Sequence, residues 1–238
     1  LFSKKVEFKK VLLEKNISQK SRRSFLEIDS KKILKKYGIP VPNSLITNKS
    51  RLKKTNYSIN KLKFPVVLKG TGSSHKTEHG LVFLNIKSKA DLFKIKDKIT
   101  KIEGNILIEE MITPISLELL IGITKDKTGL FALTIAQGGT YSELYSNTRN
   151  SKSLVILPTN KNSIKEALKE LTLYPIFKGY RGLPKANLEK TIDVILKISS
   201  LTVENKINIE EIEINPLIVT PKGAYAADAL ISIKSNHW

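Results

Sequence analysis

The sequence predicts an α+β fold, because strand and helix patterns are mixed without the regular rhythm of a doubly wound sheet. Residues 207–219 begin with strict alternation of isoleucine and polar residues, which predicts a strand with one buried face. Residues 187–203 carry apolar side chains at helical spacing, which predicts a long amphipathic helix. The 238 residues are 40% hydrophobic, enough for one substantial domain or two closely packed subdomains.

The other elements follow from local patterns. Residues 21–37 place apolar side chains on one helical face, and Gly38 with Pro40 predicts the end of that helix. Ser88 and Asp91 form a capping box that predicts the start of a short helix. The remaining predictions are strands at 64–69, 81–86 and 105–111, a hairpin at 116–126 and 129–139, a short edge at 140–146, a helix at 163–171, and a loop or weak helix at 48–62.

Composition narrows the class of protein. The chain has no cysteine, which excludes a disulfide framework and thiolate chemistry. Its apolar runs near the start are too short for a secretory leader or a spanning helix, so we expect a cytoplasmic protein without membrane contact. The formal net charge is +19, but the lysines are spread along the chain and no stretch interleaves aromatics with arginine. This pattern disfavours nucleic-acid binding and suits an anionic small ligand, such as a nucleotide or coenzyme A.

The loop "GTGSSHKTEHG" follows the predicted strand at 64–69 and has the composition of a phosphate-handling segment. Gly70, Gly72 and Ser73 allow backbone N–H groups to approach phosphate oxygens, and Lys69 can hold a phosphate as a point charge. The GxxxxGK[ST] order of a Walker loop is absent. His75 is a candidate nucleophile, because neutral imidazole can attack phosphorus, although a solvated loop histidine without a role fits the same pattern.

Polar residues interrupt the predicted strands at several points. Glu211, Glu213 and Asn215 share one face of an alternating strand, which suits a hard cation such as Mg²⁺ with phosphate as co-ligand. The solvent face of an edge strand is the alternative interpretation. Glu118 is a further polar position in an apolar run, and no role is predicted for His79 or His237.

Two shorter segments are also candidates for binding. Glu109, Glu110 and Met111 stand at the end of a predicted strand, where they either flank a nucleotide hinge or only close the strand. Arg181 lies between two glycines in "GYRG", and a fork-shaped cation with close backbone approach suits an anion. An ordinary connection is the alternative for this second segment.

Eight motifs in order resemble one family. They are "DSKKILKKYGIPVP", "FPVVLK", "SSHKTEHGLV", "ILIEEM", "LELLIGITKD", "AQGG…SEL", "GYRGLP" and "EIEINPLIV…GAYAADALI". Over residues 22–235 the chain resembles the ATP-grasp domain of nucleoside-diphosphate-forming acyl-CoA synthetases, in particular the beta subunit of ADP-forming acetyl-CoA synthetases. The resemblance implies two α+β subdomains that clamp ATP, at 22–108 and 109–238, after a basic extension at 1–21.

The resemblance also implies an activity. The family interconverts acyl-CoA, ADP and phosphate with free acid, CoA and ATP. It does so with a CoA-binding alpha subunit or fused domain, so a hetero-oligomer that uses ATP or ADP with Mg²⁺ is expected. His75 would carry phosphate as phosphohistidine. Lys69 would hold nucleotide phosphate, and Glu118 would be a nucleotide or phosphate contact. Residues at two further sites are implied: Glu110 and Met111 at the adenine hinge, and Glu213 and Asn215 on Mg²⁺.

Three positions depart from the family pattern. Leu81 stands where the family usually has the second of two glycines after the histidine loop. Asn147 and Ser151 lie near positions where the family has an aspartate and an arginine. Arg149 or Lys152 is an alternative source of the guanidinium or cation through a shift in register. The departures at Asn147 and Ser151 favour an alternative, a non-catalytic nucleotide-binding regulatory module of the same fold. A basic nucleic-acid-binding protein is the third and weakest hypothesis.

Overall fold

The computed structural model describes residues 23–48, 51–52, 56–70, 81–95, 105–139 and 149–234. Its helices are α1 Glu27–Lys36, α2 Asn56–Ile59, α3 Lys89–Lys94, α4 Lys161–Lys169, α5 Pro175–Lys178 and α6 Leu188–Glu204. Its strands are β1 Arg23–Phe25, β2 Ser44–Asn48, β3 Val66–Gly70, β4 Val82–Ile86, β5 Asn105–Glu110, β6 Leu117–Lys125, β7 Phe131–Gln137, β8 Lys152–Leu157, β9 Ile209–Val219, β10 Ala224–Ala226 and β11 Ala229–Ile233. None of the helices in these ranges is both long and apolar enough to cross a membrane.

The chain divides into two compact units, and each has its own sheet. The smaller unit comprises residues 42–113, and the larger unit comprises the described residues on either side of it. This division differs from the predicted boundaries at residues 109–113, which belong to the smaller unit, and at residues 22–41, which belong to the larger unit. The reason is that β1 pairs with β11, and Ile33 and Leu34 of α1 lie in the core of the larger unit.

The larger unit is an antiparallel sheet in the order β1-β11-β9-β6-β7-β8, with β10 paired to β9. One face of this sheet packs on α1, α4 and α6. The inward side chains of β6 alternate with half-exposed or exposed ones, as a sheet with one covered face requires. The buried side chains include Leu119, Ile121 and Ile123 of β6, Leu133 and Ile135 of β7, Ile212 and Ile214 of β9, and Ile192, Ile195 and Ile198 of α6.

The smaller unit is a four-stranded antiparallel sheet in the order β2-β5-β3-β4. Its core contains the inward residues of the central strands with Ile59 of α2 and Leu92 of α3. Helix α3 begins at the predicted capping box, because the Ser88 side chain accepts a hydrogen bond from the Asp91 N–H at 3.1 Å. The Ser88 hydroxyl in turn donates to the Asp91 carboxylate at 2.7 Å.

Two local predictions differ from the structure. Residues 23–25 form a strand and not the first turn of a helix, because Phe25 is buried opposite Ile231 in the sheet. The patterns above also do not predict β8, because its burial alternates but its hydrophobicity does not: Ser153 is buried, whereas Leu154 and Ile156 are exposed. Gly38 does end α1 in the left-handed region, with φ of +69°.

Tyr37 connects α1 to the end of α6. Its hydroxyl accepts a hydrogen bond from Asn205 Nδ2 at 2.8 Å, and Asn205 is buried. We expect Tyr37→Phe to lower the free energy of unfolding by about 1 kcal/mol, because a buried donor loses an acceptor. Denaturant unfolding measures this loss, and Tyr180→Phe, at an exposed tyrosine, is the control. Equal stability of the two variants would show that the bond contributes nothing.

Candidate active site

Lys69 is a buried cation in the smaller unit. Its ammonium lies 3.0 Å from the Glu109 carboxylate, and the side chains of Lys69 and Glu109 are 11% and 2% exposed. The register places Lys69 opposite Leu107, and Val67 opposite Glu109, so all four side chains lie on the face of the sheet away from Leu68 and Ile108. Burial makes an unpaired charge costly, so Glu109 stabilises the lysine at this position. The sequence analysis placed Glu109 with Glu110 at the end of a strand, but it did not predict the ion pair between Glu109 and Lys69.

We expect Lys69→Met to lower the free energy of unfolding by about 2 kcal/mol, because it leaves the Glu109 carboxylate buried without its nearest cation. The double variant Lys69→Met/Glu109→Gln is expected to recover part of this loss, because no buried charge remains. Chemical denaturation of the two variants and the wild type measures both steps. A double variant less stable than the single variant would contradict a charge-pairing origin.

The loop that carries His75 is anchored directly after Lys69. The Gly70 N–H donates to the Leu81 carbonyl at 2.9 Å, so the last residue of β3 lies beside the residue that precedes β4. Gly72, Ser73 and His75 lie outside the described residues, as do His79 and His237, and the predicted site roles of the first three stay predictions. The departure at Leu81 falls at the return point itself.

Glu110 holds two connections of the smaller unit together. Its carboxylate accepts hydrogen bonds from Asn43 Nδ2 at 3.0 Å and from the Lys63 N–H at 2.9 Å. The Met111 N–H donates to the Pro65 carbonyl at 3.0 Å. These contacts give the end of β5 a fixed conformation, while the adenine-hinge role of Glu110 and Met111 stays a prediction.

In the larger unit, Glu118, Gly139 and Asn215 meet at the end of β7. The Gly139 N–H donates to Asn215 Oδ1 at 3.0 Å, and the Gly138 N–H donates to the Glu118 carbonyl at 2.9 Å. A Cβ added to Gly139 would overlap the Glu118 carboxylate, and its φ is +81°. The positive φ requires glycine here, and a Cβ would in addition push aside the far end of the flexible Glu118 side chain.

An irregularity in the sheet helps to bring Asn215 to this point. Ile214 pairs with Ile121 and Leu217 with Leu119, so β9 has one residue more than β6 between these pairs. The extra residue interrupts strict alternation near Asn215. In the sequence its only sign is that Ile214 and Leu217, both buried, are three positions apart and not two.

Glu213 lies in a region of excess negative charge. It is half-buried opposite Gly122 of β6 and Leu230 of β11. Burial raises the pKa of Glu213, and the nearby carboxylates of Glu211 and Asp228 raise it further. Burial also raises the pKa of Glu118. The sequence motif contains Asp228 but gave it no role, and the only local signal was an aspartate inside the apolar run "AADALI".

These residues fit a magnesium ion that shares its coordination with phosphate. Burial and the two nearby carboxylates disfavour the charged form of Glu213 and would favour a cation beside it, and the Asn215 amide oxygen is fixed by the Gly139 N–H. Within the ranges that the structure describes, no three acidic or histidine side chains converge into a complete metal cage. Mg²⁺ typically takes one or two protein carboxylates and completes its shell with phosphate and water, which agrees with this donor set.

Arg181 and Ser151 lie elsewhere in the larger unit. Arg181 adopts φ of +44° in the turn after α5, and its guanidinium lies 5.3 Å from the ring centroid of Tyr180. Among the described residues it forms no ion pair with Glu118 or Glu213, so its nucleotide-binding role stays a prediction. The Ser151 carbonyl accepts from the Gln137 N–H at 3.4 Å, and Asn147 lies outside the described residues.

A family model described as "ATP-grasp domain" matches residues 16–233, and the chain belongs to this family. The fold is therefore the predicted α+β ATP-grasp fold. Within the family, the chain is 30% identical over 237 residues to the beta subunit of ADP-forming acetate–CoA ligase II of Pyrococcus furiosus, covering 94% of this chain and 97% of that protein. The relatives of the chain are thus ADP-forming acid–CoA ligases, as the sequence motifs predicted.

Two further comparisons concern assembly and structure. The chain is 29% identical to an ADP-forming acetate–CoA ligase of Methanocaldococcus jannaschii, covering 95% of this chain but 33% of that protein. It superposes with a TM-score of 0.73 and 29% identity on an acetyl-coenzyme A synthetase of Ca. Korarchaeum cryptofilum, covering 89% of this chain and 93% of that chain. That structure contains coenzyme A and Mg-AMPPCP, with a phosphohistidine segment pointing towards the nucleotide site.

Proposed function

We propose that the chain is the nucleotide-binding component of an ADP-forming acid–CoA ligase, in which His75 relays phosphate between ADP and a CoA-binding partner. In the direction of ATP synthesis, a phosphoryl group passes from the partner to a nitrogen of His75, and then from that nitrogen to the terminal oxygen of ADP. Dividing the transfer in this way leaves two in-line displacements, each of which needs positioning and charge neutralisation.

The observation that carries the proposal is the anchoring of the histidine loop. The Gly70–Leu81 hydrogen bond closes the loop immediately after Lys69, so the base of the loop adjoins a buried cation suited to a nucleotide phosphate. Relatives named as beta subunits of ADP-forming acetate–CoA ligases support the same assignment.

Some of the chain's own residues would neutralise phosphate charge, and others would position the nucleotide. Lys69, held by Glu109, offsets phosphate charge in the smaller unit. Glu213 and Asn215 would hold Mg²⁺ in the larger unit, and Glu118 would contact nucleotide or phosphate beside Gly139. When bound, Mg²⁺ supplies neutralisation of charge on the phosphate oxygens. Gly70, Gly72 and Ser73 would supply backbone donors, and Arg181 a further cation for the nucleotide.

A CoA-binding partner completes the proposed enzyme. The P. furiosus relative is named as one subunit, and the M. jannaschii relative is about three times as long as the matched segment. The partner is therefore a separate alpha subunit or a fused domain, and the acid substrate would bind there.

A second candidate function is a nucleotide-binding module without phosphoryl transfer. Ser151 favours it, because a hydroxyl stands near the position where the family has a guanidinium. Such a module would bind Mg²⁺–nucleotide but form no phosphohistidine.

Phosphate labelling separates the two functions. The protein is incubated with γ-labelled ATP, Mg²⁺ and the CoA-binding partner, and acid-labile label is located by peptide mapping. We expect label on His75, its loss in His75→Ala, and its retention in His79→Ala, a matched control in the same loop. Absence of label on the wild-type chain, or label that persists in His75→Ala, would refute the relay.

A further inference from the structure

Strand β8 directs alternate side chains to the two faces of the larger sheet. Ser153 is buried, and its hydroxyl donates to the carboxylate of Glu170 at the end of α4 at 2.8 Å, so Ser153 lies on the face that the helices cover. Neighbouring side chains of a strand point to opposite faces. Lys152 is exposed and therefore lies on the other face, here named the outer face of the larger sheet.

The register of the sheet places Lys152 in one row with the predicted magnesium ligand Asn215. Lys152 pairs with Ala136 of β7, and Ala136 pairs with Leu120 of β6. The bulge of β9 puts Asn215 across from Leu120. Adjacent strands are about 4.8 Å apart, so three strand spacings separate the Cα atoms of Lys152 and Asn215 by about 14 Å. The long lysine side chain covers part of this distance from one end, and a diphosphate that extends from a metal at Asn215 covers the rest.

The outer face is locally acidic, although the chain as a whole has a net charge of +19. Three carboxylates of β6 and β9 lie on it: Glu118, Glu211 and Glu213. Strands β6, β7, β8 and β9 contain two lysines and no arginine. Lys125 lies on the helix side, opposite the buried Phe131, and its ammonium is 3.3 Å from the Glu210 carboxylate. Lys152 is therefore the one cation that these strands place on the outer face, and within the described ranges it forms no ion pair.

Arg149 is the other cation near the start of β8. Its carbonyl accepts a hydrogen bond from the Thr172 hydroxyl at 3.1 Å, and the Thr172 N–H donates to the Asn150 carbonyl at 3.1 Å. Thr172 follows α4, so these bonds tie the turn before β8 to the layer of helices. The backbone of Arg149 is thus held toward the helix side, whereas the ladder with β7 fixes Lys152 on the outer face.

We propose that Lys152 binds the terminal phosphate of ADP when Mg²⁺–ADP occupies the site at Glu213 and Asn215. The bound Mg²⁺ offsets part of the charge of the diphosphate, and the three carboxylates of the outer face repel the remainder. The Lys152 ammonium opposes this repulsion and donates charge-assisted hydrogen bonds to the phosphate oxygens. This inference rests on the proposed function, because it takes the nucleotide to bind at the predicted magnesium ligands.

Titration calorimetry of the chain alone with Mg²⁺–ADP compares Lys152→Met with Lys127→Met. Lys127 is a matched control because it is exposed, forms no ion pair among the described residues, and lies in the β6–β7 turn, at the opposite end of β7 from Ala136. We expect Lys152→Met to raise the Kd about tenfold or more, because it removes a charged hydrogen bond to phosphate. Lys127→Met should keep the wild-type Kd, and Lys152→Arg, which keeps the charge, should raise the Kd by no more than about threefold.

Binding of AMP separates a contact with the terminal phosphate from a general loss of positive charge. AMP lacks that phosphate, so Lys152→Met should bind AMP as the wild type does. An unchanged Kd of Lys152→Met for Mg²⁺–ADP, an equal loss of ADP affinity in Lys127→Met, or an equal loss for AMP and ADP would each overturn the inference.

The labelling of His75 is scored separately from these titrations. A labelled wild type together with an unchanged Kd for Lys152→Met rejects the phosphate contact and retains the proposed function. A wild-type chain that binds no Mg²⁺–ADP overturns the inference about Lys152, and the label on His75 then decides the relay by itself.

Discussion

Alanine at Gly139 is expected to weaken binding of Mg²⁺–ADP about 100-fold. The added Cβ would occupy the space of the Glu118 carboxylate, and the N–H of the same residue holds the Asn215 amide oxygen. The methyl group would therefore move the Glu118 carboxylate, and the unfavourable backbone conformation would shift the N–H that holds Asn215. Misplacement of such groups by about 1 Å commonly costs about two orders of magnitude. Titration calorimetry of the chain alone with Mg²⁺–ADP measures this loss without the partner.

Gly129→Ala is the matched control for backbone strain. Gly129 has φ of +91° in the turn between β6 and β7, and a Cβ there meets nothing within 4 Å. Both variants should lose about 1 kcal/mol of stability from the unfavourable backbone conformation. Only Gly139→Ala should lose nucleotide affinity. Equal affinities for the two variants would show that the Glu118 and Asn215 arrangement is not part of the binding site.

Glu213→Gln is expected to make the ligand-free chain more stable while it weakens Mg²⁺–ADP binding by at least about 100-fold. The neutral amide removes a half-buried carboxylate that Glu211 and Asp228 repel, so the melting temperature should rise by about 2 °C. The same change removes a predicted metal ligand. Opposite effects on stability and binding are typical of a residue kept for function.

The contribution of Glu213 to folding stability depends on pH with a defined sign. The folded chain raises the pKa of Glu213, so it holds this proton more tightly than the unfolded chain does. The stability that the protonated Glu213 contributes is fully present below the pKa that Glu213 has in the unfolded chain. It is lost as pH rises through the pKa that Glu213 has in the folded chain. Mg²⁺ competes with the proton, so stabilisation by Mg²⁺–ADP should increase with pH. Scanning calorimetry at several pH values, with and without Mg²⁺–ADP, measures both trends.

Glu210→Gln is the control on the same strand. Its carboxylate lies 3.3 Å from the Lys125 ammonium, so neutralising it removes an attraction and should slightly lower the melting temperature. Its affinity for Mg²⁺–ADP should not change. A fall in melting temperature for Glu213→Gln as well would contradict the repulsion that we assign to Glu213.

The sequence predicts the elements whose apolar period is regular. The β6–β7 hairpin and the long helix α6 are confirmed because their buried faces repeat at the strand or helix period. The strand predicted at 64–69 is found at Val66–Gly70 and is buried at every position, as its continuous apolar run indicated. Strand β8 and the strand at Arg23–Phe25 were missed. Their pairing partners decide their conformation, and in these short segments local patterns carry little information.

For the site, the residue types were predictable but their partners were not. A lysine at a strand end indicated phosphate binding at Lys69, and the "EIEINP" pattern indicated a metal ligand at Glu213. The ion pair with Glu109 joins positions 40 residues apart, and the influence of Asp228 on Glu213 depends on the pairing of β9 with β11. Such contacts depend on register, which the sequence alone does not specify.

The larger unit is built from two separate stretches of the chain, so its sheet can be completed only late in synthesis on the ribosome. Residues 42–113 are contiguous, so the smaller unit has its complete sequence as soon as that stretch emerges. Strand β1 emerges earlier still but must wait for β11, and the Ser24–Ser232 hydroxyl contact spans 208 positions. The larger sheet therefore closes last, and until then the buried side of α1 depends on a strand that has not yet been translated.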